Sequence, residues 1–68
     1  MTWGNQVTAE FVRVEKTRSG YRYTLKYRNR LYYDFEEKEL FYLEKGDKVI
    51  CDRGYSNTTL QLKIRRLA

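Results

Sequence analysis

Sixty-eight residues make one small domain whose core is marginal unless it is tightly packed or closed on itself, and they leave no room for a cleft between domains. Fourteen Lys and Arg against nine Asp and Glu give a formal charge of +5. That positive field draws polyanions and puts nucleic acid first among candidate partners, with plain solubility as the competing explanation. Histidine is absent and cysteine occurs once, so acid–base and nucleophilic schemes lack their usual partner and the usual zinc sets cannot be assembled. The residues call for no enzymatic activity, no metal and no cofactor.

Proline is absent and glycine is scarce, which argues against a disordered or linker character. Seven tyrosines and three phenylalanines suit pleated, half-buried strands. The lone Cys51 cannot form an internal disulfide and sits in an apolar run, where a small buried thiol is expected. No long apolar run or signal-peptide pattern opens the chain, so a soluble cytoplasmic protein with no membrane association is expected.

Trp3 is the one aromatic residue in the lead-in, placed either to cap the open end of a barrel or to offer a stacking surface. From Val7 the apolar positions alternate through Ala9 and Phe11, then change parity to Val12 and Val14. One bulged residue produces such a change, and the bulge bends the strand so that it can serve both halves of a small barrel. Thr17-Arg18-Ser19-Gly20 supplies turn chemistry.

The cleanest alternation follows: Tyr21, Tyr23, Leu25 and Tyr27 against Arg22, Thr24, Lys26 and Arg28, a strand with one apolar and one basic face. A three-residue loop at Arg28-Asn29-Arg30 then sets Tyr27 opposite Leu31, Leu25 opposite Tyr33 and Tyr23 opposite Phe35 on the core side. On the other side it sets Lys26 opposite Tyr32, Thr24 opposite Asp34 and Arg22 opposite Glu36.

From Asp34 the period changes. Asp34 as a cap with Glu37 three residues on, then Leu40, Phe41 and Leu43 on one face and Lys45-Gly46 at the exit, predict a helix of about two or three turns. Glu39 to Leu43 as an extended edge strand is the alternative. Lys48 to Arg53 reads as a fourth strand, Arg53 to Thr58 as a turn-rich connection, and Leu60, Leu62 and Ile64 alternating with Gln61, Lys63 and Arg65 as a fifth. The expected architecture is all-β with small α content: a five-stranded barrel with a short helix between strands 3 and 4, occupying residues 1–68 as one domain. An SH3-like barrel is the alternative.

The order of three strands, short helix and two strands, with a long bent first strand, resembles the oligonucleotide/oligosaccharide-binding (OB) fold. The passage Leu43-Glu44-Lys45-Gly46-Asp47-Lys48-Val49-Ile50-Cys51, followed by Leu60-Gln61-Leu62-Lys63-Ile64-Arg65, is similar to the Gly-Asp-x-Val and closing-strand layout of that group. In length the chain resembles the S1-like members typified by bacterial translation initiation factor one. It departs from them at Ala9-Glu10-Phe11, where a glycine is usual, and in the acidic segment from Asp34 to Glu44. The resemblance therefore implies a barrel and a binding surface on strands two and three with their neighbouring loops, but not a role in translation.

Between Arg13 and Arg30 seven cations (Arg13, Lys16, Arg18, Arg22, Lys26, Arg28, Arg30) stand against the single Glu15. From Asp34 to Asp47 the sign inverts. Cations interleaved with an exposed ring suit a single-stranded nucleic acid, because phosphates need point charges and unstacked bases need a flat surface. The candidate binding set is Arg13, Arg18, Arg22, Lys26, Arg28, Arg30, Tyr32, Arg53 and Tyr55, with Asn57 beside it, and RNA ranks ahead of DNA. Tyr21, Tyr23, Tyr27 and Tyr33 are expected in the core. Competing expectations are a solvated strand face, a protein-interaction module such as a small adaptor or inhibitor of a mobile element docking through the acidic segment 34–47, and a subunit of an assembly built by edge-strand pairing.

Overall fold

A computed structural model describes residues 2–68. Its longest element is β1 (Thr2–Lys16), and the parity change in its sequence is absorbed as expected. Phe11 pairs with Leu25 and Arg13 with Thr24, which leaves Val12 as the bulged residue. A second irregularity falls between Trp3 and Gln6. Bent in this way, β1 gives its C-terminal half to β2 (Tyr21–Tyr27) and its N-terminal half to β4 (Lys48–Ser56). β3 (Arg30–Glu36) adds to β2, and β5 (Thr59–Leu67) adds to β4. All four pairings are antiparallel, and the sheet order is β3-β2-β1-β4-β5.

The sheet curls into a partly closed barrel around Ala9, Phe11, Tyr23, Leu25, Val49, Cys51, Leu62 and Ile64, with Leu43 closing one end. The Phe11 and Tyr23 rings meet at 6.1 Å in a tilted arrangement, the geometry that aromatic quadrupoles favour. Cys51 is buried as its apolar neighbours imply, and burial pushes its thiol up to about 12, where it is inert at neutral pH. Among the described residues no helix is long and apolar enough to cross a membrane.

Two expectations are corrected. The helix between the third and fourth strands does not form, and neither does an edge strand from Glu39 to Leu43. The intended cap, Asp34, lies within β3. The following segment instead spends its backbone groups on the barrel and on a turn. Leu40 N–H donates to the Tyr23 hydroxyl (2.8 Å), Gly46 N–H donates to Phe11 O (2.9 Å), and Phe11 N–H donates to Asp47 O (2.8 Å). The turn closes where Glu44 N–H donates to the Asp47 carboxylate (2.8 Å) and Asp47 N–H to Glu44 O (2.9 Å), with Gly46 at φ 97°. A short helix would have to repay its unfavourable nucleation from these same groups, while Leu43 reaches the core without one.

The β2–β3 register is also one residue away from expectation. Arg28 and Asn29 form a two-residue turn with φ 52° and 63°, the pair of positive φ values that match a hairpin's twist. Tyr27 consequently faces Arg30, Leu25 faces Tyr32, Thr24 faces Tyr33, and Tyr23 faces Asp34. Because side chains alternate with period two, the slip reverses every face of β3. Tyr32 and Asp34 turn inward and Leu31, Tyr33 and Phe35 turn outward. Tyr33, expected in the core, is a surface residue.

At the β1–β2 turn, Thr17 N–H donates to Gly20 O (2.7 Å). Gly20 passes so close to β3 that a Cβ would strike the Glu36 carbonyl oxygen and lie 3.0 Å from Glu37 Cα. Gly20→Ala is expected to destabilise the protein by about 1–3 kcal/mol, read as a lower midpoint in urea unfolding. An unchanged midpoint would show that the two turns do not pack this tightly.

Candidate functional site

The corrected register organises the outer face of β1, β2 and β3 into cross-strand rows. Glu10, Lys26 and Leu31 form one row, Arg13, Thr24 and Tyr33 the next, and Glu15, Arg22 and Phe35 the third. β1 thus supplies two acids, β2 the cations and β3 an apolar edge. Leu31, Tyr33 and Phe35 are 50%, 46% and 67% exposed, and they line up along the strand as flat or aliphatic surface.

Part of the basic cluster is already neutralised. Arg22 Nη2 donates to Glu15 Oε1 at 2.6 Å, and Arg13 Nε lies 3.5 Å from the same oxygen. The hydrogen bond from Arg22 holds the Glu15 carboxyl below its ordinary range. The Arg22 guanidinium also lies 5.2 Å from the centre of the Tyr33 ring, a cation–π stack that stiffens both side chains. Between Arg22 and Lys26, Thr24 is fully covered, and its Oγ1 has no hydrogen-bond partner among the described residues.

The remaining sequence-predicted residues divide between the two ends of the hairpin. Lys26, Arg28 and Arg30 gather at its tip, exposed and outside the ion pairs of the described residues; Arg28 lies 5.2 Å over the Tyr27 ring. Arg18 sits in the β1–β2 turn, about 20 Å away along β2, two residues before Gly20, which Glu36 and Glu37 approach. Tyr32 points inward against Tyr27, with ring centres 6.3 Å apart; Tyr33 and Phe35 hold the outward positions expected of it. Arg53 and Tyr55 lie on β4 and share a shallow depression with Gly4, Asn5 and Asn57, with Tyr55 exposed. Sequence reasoning missed Tyr33, Phe35 and Leu31. The signal that could have found them was Arg28-Asn29 read as a two-residue turn.

The two outer strands, β3 and β5, approach each other across a seam, and no backbone ladder joins them among the described residues. At one end the seam is latched by a side chain, since Ile64 N–H donates to Asp34 Oδ2 (2.9 Å). Lys63 Nζ meets Glu36 Oε2 at 2.8 Å just beyond. At the other end the seam opens into a groove of about 610 Å³ lined by Arg30 to Tyr33 and Phe35 on one wall and Thr58 to Gln61 on the other. The open end lies next to the free cations of the hairpin tip.

Asp34 is nearly sealed from solvent, at 5% exposure. Burial first, then the hydrogen bond with Glu36, pushes its carboxyl up to about 7, against the pull of the Ile64 N–H. Glu36 moves the other way: burial would raise it, but hydrogen bonds with Asp34 and Lys63 prevail and hold it below its ordinary range.

No family model matches the chain, and no curated protein or solved structure is detectably similar to it. What the fold and the site define is a small five-stranded antiparallel barrel, curled and partly closed, with an aromatic and basic outer hairpin.

A carboxyl whose pKa is raised on folding binds its proton more tightly in the folded state. Its stability contribution is therefore fully present below the ordinary pKa near 3.8 and is lost as pH rises through about 7. Asp34→Asn keeps an acceptor for Ile64 without the titration. The stability of the native protein relative to this variant is expected to fall by about 2–4 kcal/mol between pH 4 and pH 8, measured by urea unfolding at each pH. A difference independent of pH would mean that Asp34 is not buried in the seam.

Proposed function

We propose that this chain is an OB-like barrel that binds single-stranded nucleic acid, RNA ahead of DNA, in the cytoplasm and with little sequence preference. The observation that carries the proposal is the outward row Leu31, Tyr33 and Phe35 on β3, set beside Arg22 and Lys26 on β2 and ending at the unpaired Arg28 and Arg30. Exposed rings in line give successive bases a stacking surface worth about 1–3 kcal/mol each, and the cations at the tip take the phosphates. A long bent first strand paired to both β2 and β4 supports an OB-like layout over an SH3-like one. The missing helix is a departure from the OB pattern. Arg13 and Arg22 are tied to Glu15 and Arg22 also holds Tyr33 in place, so the working cations are Lys26, Arg28 and Arg30, with Arg53 and Tyr55 a second contact zone.

A second reading is favoured by Tyr42, which stands 81% exposed in the acidic loop beside Glu44. The loop would dock on a protein partner, as a small adaptor or inhibitor of a mobile element would.

Fluorescence anisotropy with labelled mixed-sequence RNA and DNA strands, taken through a salt series, separates the two. Binding is expected to weaken steeply with salt, with a slope of about 0.7 per neutralised phosphate. Tyr33→Ser with Phe35→Ser should weaken binding by about 30-fold or more. Arg28→Ser with Arg30→Ser should flatten the salt slope, while Glu37→Gln with Tyr42→Ser leaves binding unchanged. No binding at low salt, or binding indifferent to Tyr33 and Phe35, would overturn the proposal.

A further inference from the structure

The hairpin register fixes where the backbone of β3 points. The residues flanking a two-residue turn exchange both of their hydrogen bonds, so Arg30, Tyr32, Asp34 and Glu36 bond to β2 while Leu31, Tyr33 and Phe35 direct N–H and C=O away from it, toward the seam. The same counting from the Asn57-Thr58 turn directs the backbone groups of Leu60 and Ile64 toward the seam from β5. The bond from Ile64 N–H to Asp34 confirms that parity independently. At the latched end, then, a carboxylate takes the place of a strand. At the open end no described residue accepts or donates at the seam-facing backbone groups of Leu31, Tyr33 and Leu60. Unpaired strand edges of this kind are templates for another strand.

We propose that the open end of the β3–β5 seam takes an extended peptide from a protein partner as an added strand, antiparallel to β3 and bonded to Leu31 and Tyr33. β3 and β5 run in the same direction, so such a strand lies antiparallel to both walls. The groove lining holds one cation, Arg30, and no carboxylate, with Leu31, Tyr33, Phe35 and Leu60 supplying apolar surface. An antiparallel peptide has its C-terminal end at Arg30. The partner therefore alternates apolar residues and ends in a carboxylate, from an acidic side chain or the chain terminus, that Arg30 receives. Asp34 and the Glu36–Lys63 pair stop it at the other end. A nucleic acid offers no backbone amides for these edges, and this inference does not depend on whether the outer face of the hairpin binds one.

The test is to pan a displayed library of random short peptides against the full chain and follow the binders by hydrogen exchange. Enriched peptides are expected to alternate apolar residues, to carry a carboxylate at the C-terminal end, and to slow exchange of the Leu31 and Tyr33 amides. They should lose at least tenfold in affinity on Arg30→Glu, or when alternate peptide amides are N-methylated. C-terminal amidation distinguishes a terminal carboxylate from an acidic side chain. The proposal is overturned if no sequence is enriched, if N-methylation changes nothing, or if protection maps away from β3. It is likewise overturned if size-exclusion chromatography shows a second copy already occupying the edge.

Discussion

Two residues, Arg28 and Asn29, decide which side of β3 meets the core. By taking positive φ at both positions they close the hairpin in two residues and pair Tyr27 with Arg30. Everything distinctive about the molecule follows from that pairing. It sends Asp34 inward, where its carboxylate latches the seam at Ile64, and it sends Tyr33 and Phe35 outward, where they stand beside the basic face of β2. With one more residue in the turn the same strand would bury two aromatic rings and carry its acids outside, and the barrel would lack both its latch and its aromatic edge.

The latch explains how a core this small stays closed. A sheet of five strands curls until β3 and β5 approach, but their edges meet without a ladder, and the nearly sealed Asp34 spans the gap. Burying a carboxyl there is costly unless it is hydrogen-bonded or neutral. The raised pKa of Asp34 and the depressed pKa of Glu36, which leans on Lys63, show how the seam divides a proton and a charge between neighbours. On the outer surface electrostatics works differently. Arg13 and Arg22 share Glu15 at the surface, where ion pairs contribute little to stability. Their consequence is positional, because Arg22 stacks on the Tyr33 ring and the hairpin tip is left as the concentrated free charge.

Much of this was legible in the residues. The parity change after Phe11 marked the bulge in β1, the alternation from Tyr21 to Tyr27 marked β2, and the Leu60–Ile64 pattern marked β5, because each has one apolar face and one polar face. Cys51 read as a buried thiol for the same reason. β3 was different: Leu31, Tyr32, Tyr33 and Phe35 place apolar residues on both parities, so hydrophobicity cannot choose the register, and only the turn decides it. The Glu37–Asp47 segment misled for another reason. Its helix-forming residues and cap-like Asp34 are local signals, whereas its actual course is set by contacts distant in sequence, from Tyr23, Phe11 and the core around Leu43. Seven cations within eighteen positions suggested one patch; the fold spreads them over both ends of β2 and pairs two of them.

The register itself is open to a direct measurement. In an antiparallel pair the Hα atoms lie closest at the pairs that are not hydrogen-bonded, which here are Lys26 with Leu31, Thr24 with Tyr33, and Arg22 with Phe35. A nuclear Overhauser spectrum should show strong Hα–Hα contacts between Thr24 and Tyr33 and between Arg22 and Phe35. Contacts from Thr24 to Asp34 and from Arg22 to Glu36 instead would place Tyr33 and Phe35 in the core, open the Asp34 latch, and contradict the account.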